Sequence, residues 1–140
     1  MIAFTLNGAP AQAEGGTTLL HALRGECGLS GPRFGCGAEA CGACHVLLDG
    51  ESRPSCALPV EAAAGRSVVT VEGLDGRLAA AFAREQAGQC GFCLSGILVS
   101  AAALLARVPQ PDEDAVRAAL QPHLCRCGAQ NRMLRAVLAA

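Results

Sequence analysis

The fold is decided by the stretch Phe34-Gly35-Cys36-Gly37-Ala38-Glu39-Ala40-Cys41-Gly42-Ala43-Cys44. Its cysteines have C-x4-C-x2-C spacing, and another cysteine follows after a short apolar segment. A [2Fe–2S] cluster is held by four thiolates, and this spacing is the plant-type ligand pattern. The glycines let the chain adopt unusual backbone angles and pass close to a cluster. The stretch therefore predicts a [2Fe–2S] site, and its ligands, here called the N-terminal cysteine set, are Cys36, Cys41, Cys44 and Cys56.

Structural zinc and buried free thiols are the alternative uses of these cysteines. Structural zinc sites favour paired C-x2-C knuckles, which the C-x4-C-x2-C pattern fits poorly. The chain has 9 cysteines, an odd number, and residues 1–6 lack the basic and apolar regions of a signal peptide. Both features argue against a secreted disulfide framework. We therefore expect metal-binding thiols in a cytoplasmic protein.

A second group of cysteines lies near the C-terminus as a C-x2-C pair and a distant C-x-C pair. On its own this pattern would also fit zinc or a redox dithiol. Both pairs are predicted to lie at helix ends, where helix N-terminal dipoles favour an anionic cluster. We interpret them as ligands of a second [2Fe–2S] cluster, here called the C-terminal cysteine set: Cys90, Cys93, Cys125 and Cys127. The remaining cysteine, Cys27, is expected to be a small buried hydrophobic residue rather than a ligand.

Composition and motif content exclude several functions. The net charge is −1 and no basic stripe is present, which argues against nucleic-acid binding. The longest apolar run, residues 97–106, is far shorter than the ~20 residues of a membrane span, so no membrane insertion is expected. No phosphate loop, nucleophile–base pair or paired carboxylate is present, and no catalytic residue is assigned. The histidines are isolated along the chain and are interpreted as structural or surface residues: His21, His45 and His123.

The first half of the chain predicts a small sheet with one helix. Asn7-Gly8 is a strong signal for a two-residue hairpin turn. Either Thr17 or Thr18 can cap the helix. The predicted strands cover residues 2–6, 9–13, 45–50 and 67–71, and the predicted helix covers residues 19–26. This order is typical of a β-grasp ferredoxin-like domain, which we place at residues 1–74.

The second half, residues 75–140, predicts helices only. One of them is apolar nearly all round and is expected to be buried at the centre. Asp112 and Asn131 are the predicted caps of the last two helices. The predicted helices cover residues 78–87, 95–107, 113–120 and 132–138. The fold class is therefore α+β, a β-grasp [2Fe–2S] domain followed by a small four-helix bundle that binds a second cluster.

Taken together, the motifs resemble the small iron–sulfur subunit of the xanthine oxidase family of molybdenum hydroxylases. The resemblance covers nearly the whole chain. It rests on both cysteine sets and on the residues around them: Gly35 to Gly37, Cys41 to Cys44, Leu47 to Gly50, Ser55-Cys56, Val71 to Leu74, Gln89 to Cys93 and Leu124 to Cys127.

This resemblance implies an electron-transfer subunit, itself non-catalytic, of an oxidoreductase. A large partner subunit would bind molybdopterin cytosine dinucleotide and hydroxylate an N-heteroaromatic compound or an aldehyde. Electrons would pass through two [2Fe–2S] clusters to a cytochrome c-type or flavin acceptor. The resemblance places the cluster of the C-terminal cysteine set near the pterin and that of the N-terminal cysteine set near the acceptor. It also implies that Gln89 hydrogen-bonds the pterin.

The chain departs from the commonest family pattern after Cys127, where Gly128-Ala129-Gln130 stands in place of Thr-Gly-Tyr. Together with Gly31 to Phe34, this is more similar to the nicotinate dehydrogenase and isoquinoline or aldehyde oxidoreductase branch, whose members often lack a flavin subunit. Two other hypotheses remain open from the sequence: a free-standing ferredoxin or redox sensor, and a zinc-stapled structural module.

Overall fold

The computed structural model describes residues 1–140 as a five-stranded sheet carrying one helix, followed by four further helices. The strands are β1 (Ile2–Leu6), β2 (Ala9–Ala13), β3 (Val46–Leu48), β4 (Glu51–Arg53) and β5 (Ser67–Val69). The helices are α1 (Leu19–Arg24), α2 (Arg77–Arg84), α3 (Leu94–Arg107), α4 (Glu113–Leu120) and α5 (Gln130–Ala139). Short 3-10 helices cover Val60–Ala63 and Val71–Gly73.

The sheet has the strand order β2-β1-β5-β3-β4. The β1–β5 pair is parallel and the other pairs are antiparallel. Asn7 and Gly8 join β1 to β2 with φ angles of 50° and 84°, the positive values that the predicted hairpin turn requires. Helix α1 packs on the sheet through buried side chains. The hydrophobic core between them includes Leu19 and Leu23 of the helix and Phe4, Val46 and Val68 of the strands. The predicted ferredoxin-like arrangement is confirmed.

The helical half has its own hydrophobic core, to which α2, α3, α4 and α5 all contribute. Helix α3 is buried along most of its length, as its apolar sequence predicts. One side of α3 packs against the other helices through Ile97 and Leu104, while the helix also contacts β3 and β4. Helix α3 is therefore shared between both halves of the chain. None of the helices combines the length and apolar character needed to cross a bilayer.

Several helix ends agree with the sequence and others do not. The hydroxyl of Thr18 accepts a hydrogen bond from the His21 N–H at 3.2 Å, and the Asp112 carboxylate accepts one from the Ala115 N–H at 2.8 Å. The prediction that Asn131 caps the last helix is wrong, because α5 begins at Gln130, one residue earlier. The turn that follows the C-x-C pair already brings Ala129 to φ −87° and ψ 8°, so the helix starts directly from that turn.

The ends of α1 and α2 also lie earlier than predicted. Helix α1 ends at Arg24, followed by Gly25, rather than at residue 26. Helix α2 ends at Arg84 rather than at residue 87, because Gln86 adopts a φ of 51° and the Ala87 N–H donates back to the Phe82 carbonyl at 2.8 Å. This is a common way for a helix to end when one residue enters the left-handed region.

Candidate metal centres

The N-terminal cysteine set lies on the loop between α1 and β3 and on the segment after β4. Three residues in the cysteine-bearing part of this loop, residues 36–44, have positive φ angles, namely Gly37 at 68°, Glu39 at 58° and Gly42 at 84°. These angles curl the loop so that its backbone N–H groups point towards sulfur. Ala38 and Ala40 donate to the Sγ of Cys36 at 3.3 and 3.1 Å. Glu39 donates to the Sγ of Cys56 at 3.4 Å, and Ser55 donates to that of Cys44 at 3.3 Å.

These N–H donors favour the thiolate form, which is the form that binds metal. They lower the pKa of Cys36 to about 7, with the Ala38 N–H as the largest cause and the Ala40 N–H next. The pKa of Cys56 is raised, first by burial and also by the neighbouring Cys44 thiol. The thiols approach each other as two pairs, Cys36 with Cys41 and Cys44 with Cys56.

The C-terminal cysteine set shows the same pairwise arrangement. Cys90 approaches Cys127, and Cys93 approaches Cys125. Cys93 immediately precedes α3, and the C-x-C pair precedes α5, so both pairs lie at helix N-termini as predicted. The N–H of Phe92 lowers the pKa of Cys90, whereas burial, followed by the hydrogen bond with Cys125, raises the pKa of Cys93 to about 12.

Two pairs of thiols fit a two-iron cluster, which takes two thiolates on each iron. A structural zinc site instead needs its ligands, usually four, to converge on one point. The donor sets are therefore suited to [2Fe–2S] clusters, and the identity of the eight ligands stays a prediction.

The structure also places the other residues that the sequence singled out, Gln89, Cys27 and His21. Gln89 is exposed on the turn between α2 and α3, next to the exposed Cys90. Cys27 is half-buried and packs against the core of the sheet domain, where burial is the largest cause that raises its pKa. His21 is exposed on α1. No contact in the chain explains Gln89, so the predicted pterin hydrogen bond stays a prediction.

Direct contacts join the loops that carry the two cysteine sets. The Leu124 N–H donates to the carbonyl oxygen of Cys41 at 3.0 Å. The Arg33 guanidinium donates to the carbonyl oxygen of Gly91 at 2.6 Å and lies over the Phe92 ring at 5.5 Å. The Ser95 hydroxyl donates to the carbonyl oxygen of Ala43 at 3.3 Å. The two candidate centres are therefore neighbours across the boundary between the halves of the chain.

Sequence reasoning missed a buried polar contact at the same boundary. The rings of His45 and His123 meet edge to face, with centroids 4.6 Å apart, and both residues are buried. Burial lowers the pKa of His45, and burial followed by the closeness of His45 lowers that of His123 to about 4. The sequence signal was the position of each histidine beside a cysteine motif, together with the polar Ser100 in an otherwise apolar helix.

Three large apolar side chains remain exposed beside the cysteines. Phe34 and Leu124 are each 65% exposed and Phe92 is 46% exposed. Phe34 lies two residues before Cys36, Phe92 lies within the C-x2-C pair, and Leu124 immediately precedes Cys125. Isolated surface hydrophobic residues are ordinary, and these three share their position beside the candidate centres.

Comparison with known proteins agrees with this geometry. Residues 4–69 match the family model described as a 2Fe-2S iron-sulfur cluster binding domain, and residues 70–138 match the model described as a [2Fe-2S] binding domain. A nicotinate dehydrogenase subunit of Pseudomonas putida is 43% identical over 97% of this chain and 91% of its own length. The alpha subunit of isoquinoline 1-oxidoreductase of Brevundimonas diminuta is 42% identical over 98% of this chain and 95% of its own length.

A solved structure shows the same fold over nearly the whole chain. The crystal structure of quinoline 2-oxidoreductase from Pseudomonas putida 86 contains a chain that superposes with a TM-score of 0.93. The two sequences are 38% identical, and the match covers 98% of this chain and 89% of that one.

Proposed function

We propose a specific role for this chain on the basis of its family: it belongs to the small iron–sulfur subunits of the molybdenum hydroxylases of the xanthine oxidase family. The chain binds two [2Fe–2S] clusters and transfers electrons for an oxidoreductase whose larger subunit binds the molybdenum cofactor. The finer proposals concern the ligands, the order of the clusters, the domain boundary, the substrate and the acceptor.

The N-terminal cysteine set and the C-terminal cysteine set are the proposed ligands of the two clusters. The observation that carries this assignment is the approach of all eight thiols as four pairs, two pairs in each set. When bound, each cluster accepts and gives up a single electron. The domain boundary is proposed near residue 74, between the 3-10 helix Val71–Gly73 and α2.

The chain's own residues shape each site for an anionic group. Backbone N–H donors on residues 38–40 hold the sulfurs of Cys36 and Cys56. Ser55 orients Cys44 twice, because its N–H donates to the Cys44 sulfur at 3.3 Å and its hydroxyl donates to the Cys44 carbonyl at 2.6 Å. Leu20 packs against the buried Cys44 and Cys56 and excludes water from that side. Cys36 and the tip of the loop remain exposed.

The cluster of the C-terminal cysteine set is proposed to face the molybdenum-binding subunit, and the other cluster to face the acceptor. Gln89, Cys90 and Phe92 are exposed together, although the Arg33 guanidinium lies over one part of the Phe92 ring. A partner surface would supply the hydrogen bond that the Gln89 amide lacks and would cover the Phe92 ring. The exposed Cys36 loop is the corresponding exit for electrons to a cytochrome c-type acceptor or a flavin subunit.

The substrate of the complete enzyme is proposed to be an N-heteroaromatic compound that is hydroxylated at the molybdenum subunit. Support comes from the names of the relatives, which refer to nicotinate, isoquinoline and quinoline. Each of these molecules is an aromatic ring system that contains nitrogen.

Purification of the chain with its native partners tests the proposal. The expected complex contains a molybdenum-binding subunit, about four irons per small subunit, and visible absorption from two distinct [2Fe–2S] centres. A colourless zinc protein would contradict the metal assignment. A chain that is stable alone and exchanges electrons with its acceptor without a partner would instead favour a free-standing ferredoxin.

A further inference from the structure

A continuous line of polar side chains crosses the boundary between the two halves of the chain. Nδ1 of His45 lies 2.8 Å from the hydroxyl of Ser52, which lies 2.7 Å from the hydroxyl of Ser100. The Ser100 hydroxyl in turn lies 2.6 Å from Nε2 of His123. His45, Ser100 and His123 are buried, with 8%, 5% and 8% of their surfaces exposed. We refer to these four residues as the polar bridge.

Buried polar groups are costly unless they are hydrogen-bonded, so each bond of the polar bridge matters. Nδ1 of His123, at the end of the line, has no hydrogen-bond partner in the chain. The three hydrogen bonds of the polar bridge require three protons, and the two hydroxyls supply two of them. One neutral imidazole must supply the third, while the other imidazole accepts. Removal of either hydroxyl therefore breaks two hydrogen bonds at once and interrupts the line in its middle.

The polar bridge ends beside both cysteine sets. His45 directly follows Cys44, and His123 lies two residues before Cys125. Between these ends, Ser52 belongs to β4 of the sheet domain and Ser100 belongs to the shared helix α3. The Ser52–Ser100 bond is therefore the point at which the line passes from one half of the chain to the other.

The backbone packs closely around the polar bridge. A Cβ added to Gly42 would overlap the His123 ring, and one added to Gly96 would overlap the carbonyl oxygen of Gly42. Ser52 and Ser100 themselves line an open cleft between the two halves of the chain, so a loss of their hydrogen bonds loosens the boundary at this place. We expect it to change how α3 sits against the loop of the N-terminal cysteine set.

We propose that Ser52 and Ser100 are positioning residues for electron transfer, because they hold the sites of the two clusters at a fixed distance and orientation. This inference rests on the proposed function, in which each cysteine set binds one cluster. The step concerned is the transfer of one electron between the two centres. One centre is oxidised as the other is reduced, no bond forms or breaks, and no proton is transferred. A purely structural role would affect stability but not the relation between the two centres.

The test uses the complete complex with Ser100→Ala, Ser52→Ala and Ser52→Thr. The matched control is Ser95→Ala, since Ser95 is a buried serine of the same helix whose hydroxyl bonds Ala43 outside the polar bridge. Iron content and visible circular dichroism establish whether both clusters are present. EPR spectroscopy of the fully reduced complex then reports the spin–spin interaction between them, and rapid-mixing spectroscopy reports the rate of electron exchange.

In Ser100→Ala and Ser52→Ala we expect full iron content, a changed spin–spin interaction and slower electron exchange. Each alanine variant loses two buried hydrogen bonds. The equilibrium between the wild-type arrangement of the two cluster sites and a loosened arrangement should therefore shift about tenfold towards the loosened one. Ser52→Thr keeps the hydroxyl on a strand that tolerates threonine, so it should match the wild type. If Ser100→Ala fails to assemble, the comparison of Ser52→Ala with Ser52→Thr decides the question.

The inference is overturned if the alanine variants keep the wild-type interaction and exchange rate. It is equally overturned if Ser95→Ala causes the same change, because any lost hydrogen bond at the boundary would then suffice. Failure of the proposed function is a separate result, since it would appear in the wild type as a lack of two distinct clusters.

Discussion

The N–H of Leu124 donates to the carbonyl oxygen of Cys41 at a distance of 3.0 Å. Cys41 belongs to the N-terminal cysteine set, and Leu124 immediately precedes Cys125 of the C-terminal cysteine set. One backbone hydrogen bond thus joins the loops that carry the two candidate centres. The side chain of Leu124 takes no part in the bond and is 65% exposed. The backbone and the side chain of this residue can therefore be tested separately.

Replacement of Leu124 by proline is expected to destabilise the protein, because proline has no N–H to donate to Cys41. The loss of one hydrogen bond costs about 1 kcal/mol, and an acceptor left without a partner adds to it. The measurement is the denaturant concentration at which the visible absorption of the bound clusters is lost. Leu124→Ala is the control, since it keeps the N–H and removes only an exposed side chain. Equal destabilisation by both substitutions would show that the side chain, not the hydrogen bond, matters.

Gly96→Ala should disturb the contact between α3 and the loop of the N-terminal cysteine set. A Cβ at this position overlaps the carbonyl oxygen of Gly42, which is backbone and cannot rotate away. Overpacking of this kind costs about 1–3 kcal/mol. We expect a lower midpoint of thermal unfolding and a lower iron content. Gly76→Ala is the matched control, because no atom lies within 4 Å of the added Cβ and Gly76 has a φ of −78°. A normal iron content and midpoint in Gly96→Ala would contradict the close contact.

Cys41→Ser and Cys93→Ser should each remove one cluster and leave the other. The reason is that the thiols pair within each set and not between the sets. Iron is expected to fall from about four to about two per chain in each variant, and a different EPR signal should disappear in each. Cys93→Ser should in addition block reduction by substrate, whereas Cys41→Ser should leave that reduction intact and slow transfer to the acceptor. Equal loss of both signals in both variants would contradict two independent four-cysteine sites.

The parts of the structure that were predictable from the sequence depend on local interactions. Asn7-Gly8 forms the hairpin turn because both residues tolerate positive φ angles. Asp112 caps α4 because its carboxylate reaches an N–H three residues ahead. The loop of residues 36–44 could be recognised because its cysteine spacing reflects the size of the cluster that it surrounds. The prediction that Asn131 caps α5 was wrong because the start of this helix does not depend on a local capping side chain. The turn after Cys127 determines where α5 begins.

The remaining features depend on contacts between residues far apart in the chain. The approach of Cys90 to Cys127 requires the packing of α2, α3 and α5, which no local pattern specifies. The polar bridge was missed because His45 and His123 are 78 residues apart (123 minus 45), and the Ser52–Ser100 bond that connects them joins residues from different halves of the chain. Only the folded chain brings their rings to a centroid distance of 4.6 Å.

Glu72 is expected to make the stability of the protein depend on pH in acid. Burial of Glu72 acts to raise its pKa, but hydrogen bonds from the Thr70 hydroxyl at 2.8 Å and the Gly31 N–H at 2.7 Å outweigh burial, so the pKa lies below its ordinary value of 4.5. A carboxyl group whose pKa is lower in the folded state stabilises that state at a pH above the unfolded pKa. This stabilisation is lost as the pH falls from 4.5 through the lower folded value. Glu72 therefore holds the segment before the cysteine loop most firmly when it is ionised.

Glu72→Gln should lower stability at neutral pH and weaken its dependence on pH below 4.5, because a glutamine does not ionise. The measurement is the midpoint of denaturant unfolding of the cluster-loaded protein at a series of pH values, followed by visible absorption. Glu51→Gln is the control, since Glu51 is exposed on β4 and its side chain makes no hydrogen bond. Acid also protonates the cysteine ligands, but that effect is common to all variants and cancels when Glu72→Gln is compared with the control. If the pH profiles of Glu72→Gln and wild type are parallel, the carboxylate does not anchor Gly31.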